Sequence, residues 1–124
     1  MSKTVCNSVE FVFISEVVTM NPAQVPVLKD GKYWKAIHAV EKPVYRSNVT
    51  QSDAGAVNEE TVSVKARRNS LAGLLIERCG FYTVLRMSTD EGIFYAGNLE
   101  YPCTLEYTSD KVFDSYSFKA VSPA

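Results

Sequence analysis

Apolar and polar residues alternate with a period of two through much of this chain. Over residues 101–108, Tyr101, Cys103, Leu105 and Tyr107 fall on one face, and Thr104, Glu106 and Thr108 on the other. That is the signature of a strand with one buried and one wetted face. Residues 60–68 repeat it, with Val62, Val64 and Ala66 inward and Thr61, Ser63, Lys65 and Arg67 outward. Near the C-terminus Tyr116 and Phe118 alternate with Ser117 and Lys119. Such segments predict antiparallel sheets whose outer faces meet water. Residues 9–18 and 81–87 differ, because they are apolar on both faces: Val9, Phe11, Phe13 and Val17 oppose Val12, Ile14 and Val18, and Phe81, Leu85 and Met87 oppose Tyr82 and Val84. Strands of that kind need a second layer above them. The pattern as a whole predicts a mainly β fold, an antiparallel β-sandwich or small barrel.

Turn chemistry punctuates these strands. Asp30-Gly31 separates residues 25–28 from 33–37 and predicts a hairpin, since glycine tolerates positive φ. Residues 88–92 predict a second, longer hairpin loop, and residues 108–111 a turn before the last strand. Pro22, Pro26, Pro43 and Pro102 are placed at strand ends or edges, where a missing N–H does least harm. One segment is helical in pattern, over about residues 70–79. Ser70 supplies an N-cap and Gly80 a stop, and Leu71, Leu74 and Leu75 share a face with Arg78. Residues 46–58 have no strong period, are polar, and are expected to form a long loop joining two β segments. Loops of that length in compact domains are usually functional or disordered.

Composition narrows the function classes. A chain of 124 residues fits one domain, and 46% hydrophobic with 22% charged residues can build a packed core. A net charge of -1 gives no electrostatic reason to expect nucleic acid or an anionic membrane as partner. No apolar run approaches the ~20 residues that span a bilayer. Glu10 and Glu16 interrupt the N-terminal apolar stretch, so synthesis in the cytoplasm without secretion is the expectation. The match of Asn48-Val49-Thr50 to a glycosylation acceptor then carries little weight.

The residues that could carry chemistry are few and unpatterned. Cys6, Cys79 and Cys103 are odd in number and lack metal-site spacing, which favours buried free thiols. His38 is the sole histidine and has no companion ligands or nucleophile motif, so a packing or hydrogen-bonding role on a strand is expected. Glu59-Glu60, Asp90-Glu91 and Glu100 match no metal-binding loop. The densest basic cluster, Lys65, Arg67 and Arg68, reads either as a phosphate contact or as a solvated, charge-guarded sheet edge. Tyr45, Tyr82 and Tyr101 are candidates for amphipathic interface residues. No catalytic residue, cofactor site or metal site is expected.

From Ser70 onward, a leucine-rich helix is followed by strand, hairpin, strand, and then Gly97-Asn98-Leu99-Glu100-Tyr101-Pro102 leading into another strand. This order resembles small β-rich structural proteins of tailed phages and prophages of gut Bacteroidetes. The resemblance covers roughly the C-terminal half. It implies a virion role as a neck, connector-ring or tail component, with a homo-oligomeric ring and neighbouring virion proteins as partners. The expected interface residues are Arg46, Asn48, Thr50, Gln51, Asp53 and Asn58 in the polar segment, with Lys65 and Arg67 beyond it. A monomeric binding module for a peptide, glycan or small ligand is the competing expectation.

Overall fold

A computed structural model describes residues 2–20, 25–53, 55–67, 82–109 and 112–123. The described residues form eleven strands: β1 (Ser2–Val5), β2 (Ser8–Phe13), β3 (Val17–Met20), β4 (Pro26–Leu28), β5 (Lys35–Ile37), β6 (Val44–Ser52), β7 (Gly55–Arg67), β8 (Thr83–Thr89), β9 (Gly92–Ala96), β10 (Thr104–Ser109) and β11 (Phe113–Pro123). They make a five-stranded sheet in the order β1-β6-β7-β11-β10, a four-stranded sheet β5-β2-β8-β9 and a two-stranded ribbon β3-β4. Every pairing is antiparallel. The expected helix over residues 70–79, with Cys79, lies outside the described residues.

The two larger sheets face each other across the main core. Val62, Val64 and Ala66 of β7 and Tyr116, Phe118 and Ala120 of β11 supply one wall; Val9, Phe11 and Phe13 of β2 and Leu85 and Met87 of β8 supply the other. The predicted alternation on β7 and β11 thus sets the inner face. The apolar-on-both-faces pattern of β2 and β8 also has its reason. Their outer residues Val12 and Val84 form a second cluster with Val17, beneath Ile14, Met20, Leu28 and Trp34. The ribbon is therefore a third layer over part of the smaller sheet.

Two features depart from the sequence pattern. Residues 9–18 are not one strand: a 3₁₀ turn at Ile14–Glu16 breaks it, and the chain leaves the sandwich for the ribbon. Val18, expected to be buried, is 58% exposed. The Asp30-Gly31 turn is real, with Gly31 at φ 77° and the Lys32 N–H donating to the Lys29 carbonyl at 3.0 Å. It does not join a hairpin, because β4 pairs with β3 and β5 pairs with β2. Leu28 is held over Val12 and Val84 while Ile37 enters the main core, so the turn hands the chain from one layer to another. The hairpin expected at residues 88–92 does form, and it is tight, with Thr89 opposite Gly92.

Glu16 is the charge on which this junction turns. It is only 8% exposed, it accepts the Phe13 N–H at 3.1 Å, and it forms an ion pair with Lys35 Nζ. The ammonium also sits 5.2 Å from the Phe13 ring centroid and 5.8 Å from that of Phe11. Burial alone would raise the Glu16 carboxyl; the bonds from Lys35 and Phe13 and the charges of Lys35 and Lys32 outweigh it and hold it below its ordinary value.

Two outcomes follow from this packing. A carboxyl whose folded pKa lies below its unfolded one contributes stability above the unfolded value, and loses it as pH falls through the folded one. Glu16→Gln is expected to cost about 1–3 kcal/mol at neutral pH; in urea unfolding the gap to the parent should close in strong acid. The Thr83 hydroxyl is fully buried and has no hydrogen-bond partner among the described residues. Thr83→Val should therefore raise unfolding stability by about 1 kcal/mol, measured the same way.

Candidate functional site

The polar segment over residues 46–58, expected as a loop, is a β-hairpin. Strand β6 runs from Val44 to Ser52 and β7 starts at Gly55, so only Asp53 and Ala54 lie between paired residues. The register is unbroken from Val44 opposite Ser63 to Ser52 opposite Gly55. On its other edge β7 pairs with β11 as far as Val57 opposite Pro123. A lone two-stranded hairpin is marginal in water, and this third strand makes the extension self-supporting. From Val62, the last fully buried residue, to Gly55 the ladder runs on for roughly 23 Å at ~3.3 Å per residue. We refer to this three-stranded extension as the arm.

Side-chain contacts add locally to the backbone ladder. Tyr45 at the base of the arm donates its hydroxyl to Glu60 Oε2 at 2.7 Å. Ser47 Oγ donates to Asn58 Oδ1 at 3.3 Å, and Lys119 Nζ stands 3.1 Å from Glu59 Oε1. That last pair is exposed and worth about 0–1 kcal/mol, so pairing of the backbone on both sides of β7 is the larger effect. The segment was hidden from the sequence pattern because neither face of it is buried.

The expected interface residues divide by strand parity. Arg46, Asn48 and Thr50 stand opposite Thr61, Glu59 and Val57, and lie on the face of the larger sheet turned away from the core, as do Lys65 and Arg67. Gln51 and Asn58 lie on the opposite face, and Asp53 occupies the turn. The structure thus brings Arg46, Asn48 and Thr50 together, and sets Lys65 and Arg67 at the far end of β7. At these residues β7 has β11 on one side; on the other, β6 ends at Val44 opposite Ser63, and the chain covers the edge at Lys65 and Ala66 through the Val40 N–H, which donates to the Lys65 carbonyl at 2.8 Å, and the Ala39–Ala66 bridge. Lys65 stands over the Phe113 ring, 4.4 Å from its centroid, and 3.7 Å from Glu41 Oε1. Arg68 lies outside the described residues.

Sequence reasoning missed the apolar residues of the arm. Val49 is 62% exposed and Val121 45% exposed, and they lie on opposite faces of it. The signal was present as β-branched residues, Val49, Thr50, Val57 and Thr61, on either side of Asp53-Ala54-Gly55.

Below the base of the arm, Cys6, Tyr45, Met87 and Phe94 line a cleft of about 340 Å³ between the two larger sheets. Burial, and then the Glu60 carboxylate, push the Cys103 thiol up to about 12. Burial also raises the Cys6 thiol, against a backbone hydrogen bond that lowers it. The Tyr45 hydroxyl is raised as well, by burial first and then by its bond to Glu60. The thiolate is the nucleophile, so burial works against reactivity at both thiols. His38 is exposed just past β5, not on a strand as expected. Among the described residues no group of three His, Cys, Asp or Glu side chains could hold a metal ion, and no helix is long and apolar enough to cross a membrane.

No protein-family model, no curated protein and no solved structure matches this chain.

Proposed function

We propose that this protein is a non-enzymatic structural subunit of a phage-like particle, such as a neck, connector-ring or tail component, and that it acts through contacts between subunits. The arm carries this reading. It orders residues on β6 and β7 well beyond the core, and fixing a residue's backbone costs roughly 1–2 kcal/mol. It leaves Val49 and Val121 in water and sets Arg46, Asn48 and Thr50 on one flat face. A neighbouring subunit on that face buries Val121 and gives Arg46, Asn48 and Thr50 partners, and one on the opposite face buries Val49. A contact between an arm and a different surface of the next copy is head-to-tail, and closes into a ring when the rotation allows it.

The cleft lined by Tyr45, Met87 and Phe94 favours a second reading, a binding module that takes a small ligand, since its volume is within the range of small-molecule sites. The two readings place the working surface differently. Removing residues 48–57 rejoins the strands through Asn58-Glu59 beneath the unchanged Ser47–Glu60 pair, and spares both the core and the cleft. The shortened chain should unfold as cooperatively as the parent and lose its larger species in sedimentation. Assemblies of unchanged size would refute the arm as the contact element.

A further inference from the structure

Sheet edges are where a β protein either invites another strand or blocks it. Natural edges are blocked by charges, proline, bulges or cover. In this molecule most edges carry such a device. Strand β5 contains Lys35 and β10 contains Glu106. In the ribbon, β4 starts at Pro26 and β3 is bulged between Val17 and Thr19. Two stretches lack one: residues 48–52 of β6 in the arm, which run past Ser2 of β1, and strand β9. Strand β9 reads Gly92-Ile93-Phe94-Tyr95-Ala96, without charge, proline or bulge, and it is the last strand of its sheet among the described residues. Ile93 is 58% exposed and Phe94 46% exposed.

The bonding direction of this edge can be read from its neighbour. On β8 and just before it, even-numbered residues turn toward β2: the Ser88 carbonyl accepts the Asn7 N–H at 2.7 Å, and the Tyr82 carbonyl accepts the Ile14 N–H at 3.1 Å. Thr83 turns the other way and exchanges two bonds with Cys103, at 3.0 and 2.8 Å. Odd-numbered residues of β8 therefore bond toward β9. Met87 lies opposite Phe94, and Thr89 opposite Gly92. By the alternation of an antiparallel ladder, Gly92, Phe94 and Ala96 spend their backbone groups on β8, and Ile93 and Tyr95 present theirs at the open edge.

We infer that β9 is a self-pairing edge, which joins a second copy of this chain across a two-fold axis at Phe94. Only one register overlaps the whole strand and matches bonding groups. It sets Ile93 of each copy against Tyr95 of the other, and forms four backbone hydrogen bonds. A two-fold contact is self-complementary by construction, so the same five residues serve as both surfaces. Phe94 then meets its own counterpart at a non-hydrogen-bonded position, where side chains approach closest. Because Phe94 lines the cleft with Met87 and Tyr45, the pairing also covers the mouth of each cleft. The two four-stranded sheets become one continuous sheet. This deepens the assembly reading and rests on it for the identity of the partner, but it uses a surface separate from the arm.

Cysteine cross-linking tests the register itself. Phe94→Cys, made with Cys79→Ser, places two thiols across the axis with Cα atoms about 4.5 Å apart, within the ~4.4–6.8 Å that a disulfide spans. Ile93→Cys in the same background faces the other copy's Tyr95 instead of its own counterpart. Mild oxidation should give at least about tenfold more covalent dimer from the first variant than from the second. Ile93→Lys, at an exposed position that leaves the fold intact, should weaken the parent's dimerisation in sedimentation. Equal cross-linking of the two cysteine variants, or none from Phe94→Cys, overturns the pairing, including the case in which the edge takes a strand from a different protein. Larger assemblies that form without a Phe94→Cys cross-link leave the assembly reading standing and this one refuted. A cross-link in a chain whose assemblies ignore removal of residues 48–57 does the reverse.

Discussion

Neighbouring strands must hold hydrogen-bonded register along their shared length, so the burial of Val62, Val64 and Ala66 also dictates how residues 55–61 pair. A slip by one residue would turn those three side chains to solvent and replace them with Ser63, Lys65 and Arg67. The penalty is on the order of several kcal/mol, at roughly 1.5–3 kcal/mol for each large apolar side chain. Strand β11 imposes the same constraint from the other edge, through Tyr116 and Phe118 opposite Val64 and Val62. Register set in the core is therefore carried outward into a segment that has no core of its own, and the arm is stiff because the sandwich is packed.

Charge is used sparingly, where layers meet. Glu16 and Lys35 are paired beneath the ribbon, at the point where the chain leaves the sandwich. On the outer face of the smaller sheet, beyond the ribbon, Arg86 makes two bonds to Glu10, at 2.8 and 3.0 Å. Trp34 lies over the guanidinium 4.8 Å away and stacks at a tilt against Tyr95 at 5.9 Å. Cross-strand register places Glu10 opposite Arg86, so this pair reports the β2–β8 alignment as well as contributing to it. Both bonds converge on one oxygen, Glu10 Oε1, from two nitrogens of the planar guanidinium, a forked contact that a lysine would not reproduce.

Legibility in the sequence followed burial. The inward alternation on β7 and β11, the double-sided apolar pattern of β2 and β8 and the hairpin at residues 88–92 were readable, because each is enforced by a core or by turn chemistry. The break at Ile14–Glu16 was not readable, since a buried carboxylate looks like a surface residue until Lys35 is brought to it. Asp30-Gly31 was recognised as a turn but assigned the wrong partners, because turn chemistry reports local reversal and not which sheet receives the strand. The arm was the largest miss. Polar residues on both faces carry no period to detect, and its order comes from long-range pairing with β11.

That order is what separates an arm from a loop. Amide hydrogen exchange on the isolated chain reads it residue by residue. Protection that continues from residues 61–66 outward through the paired amides of residues 46–51 and 56–60, far below the rates of unstructured peptide, is the expected result. Exchange at unstructured rates throughout those arm residues, beside a protected core, would contradict it.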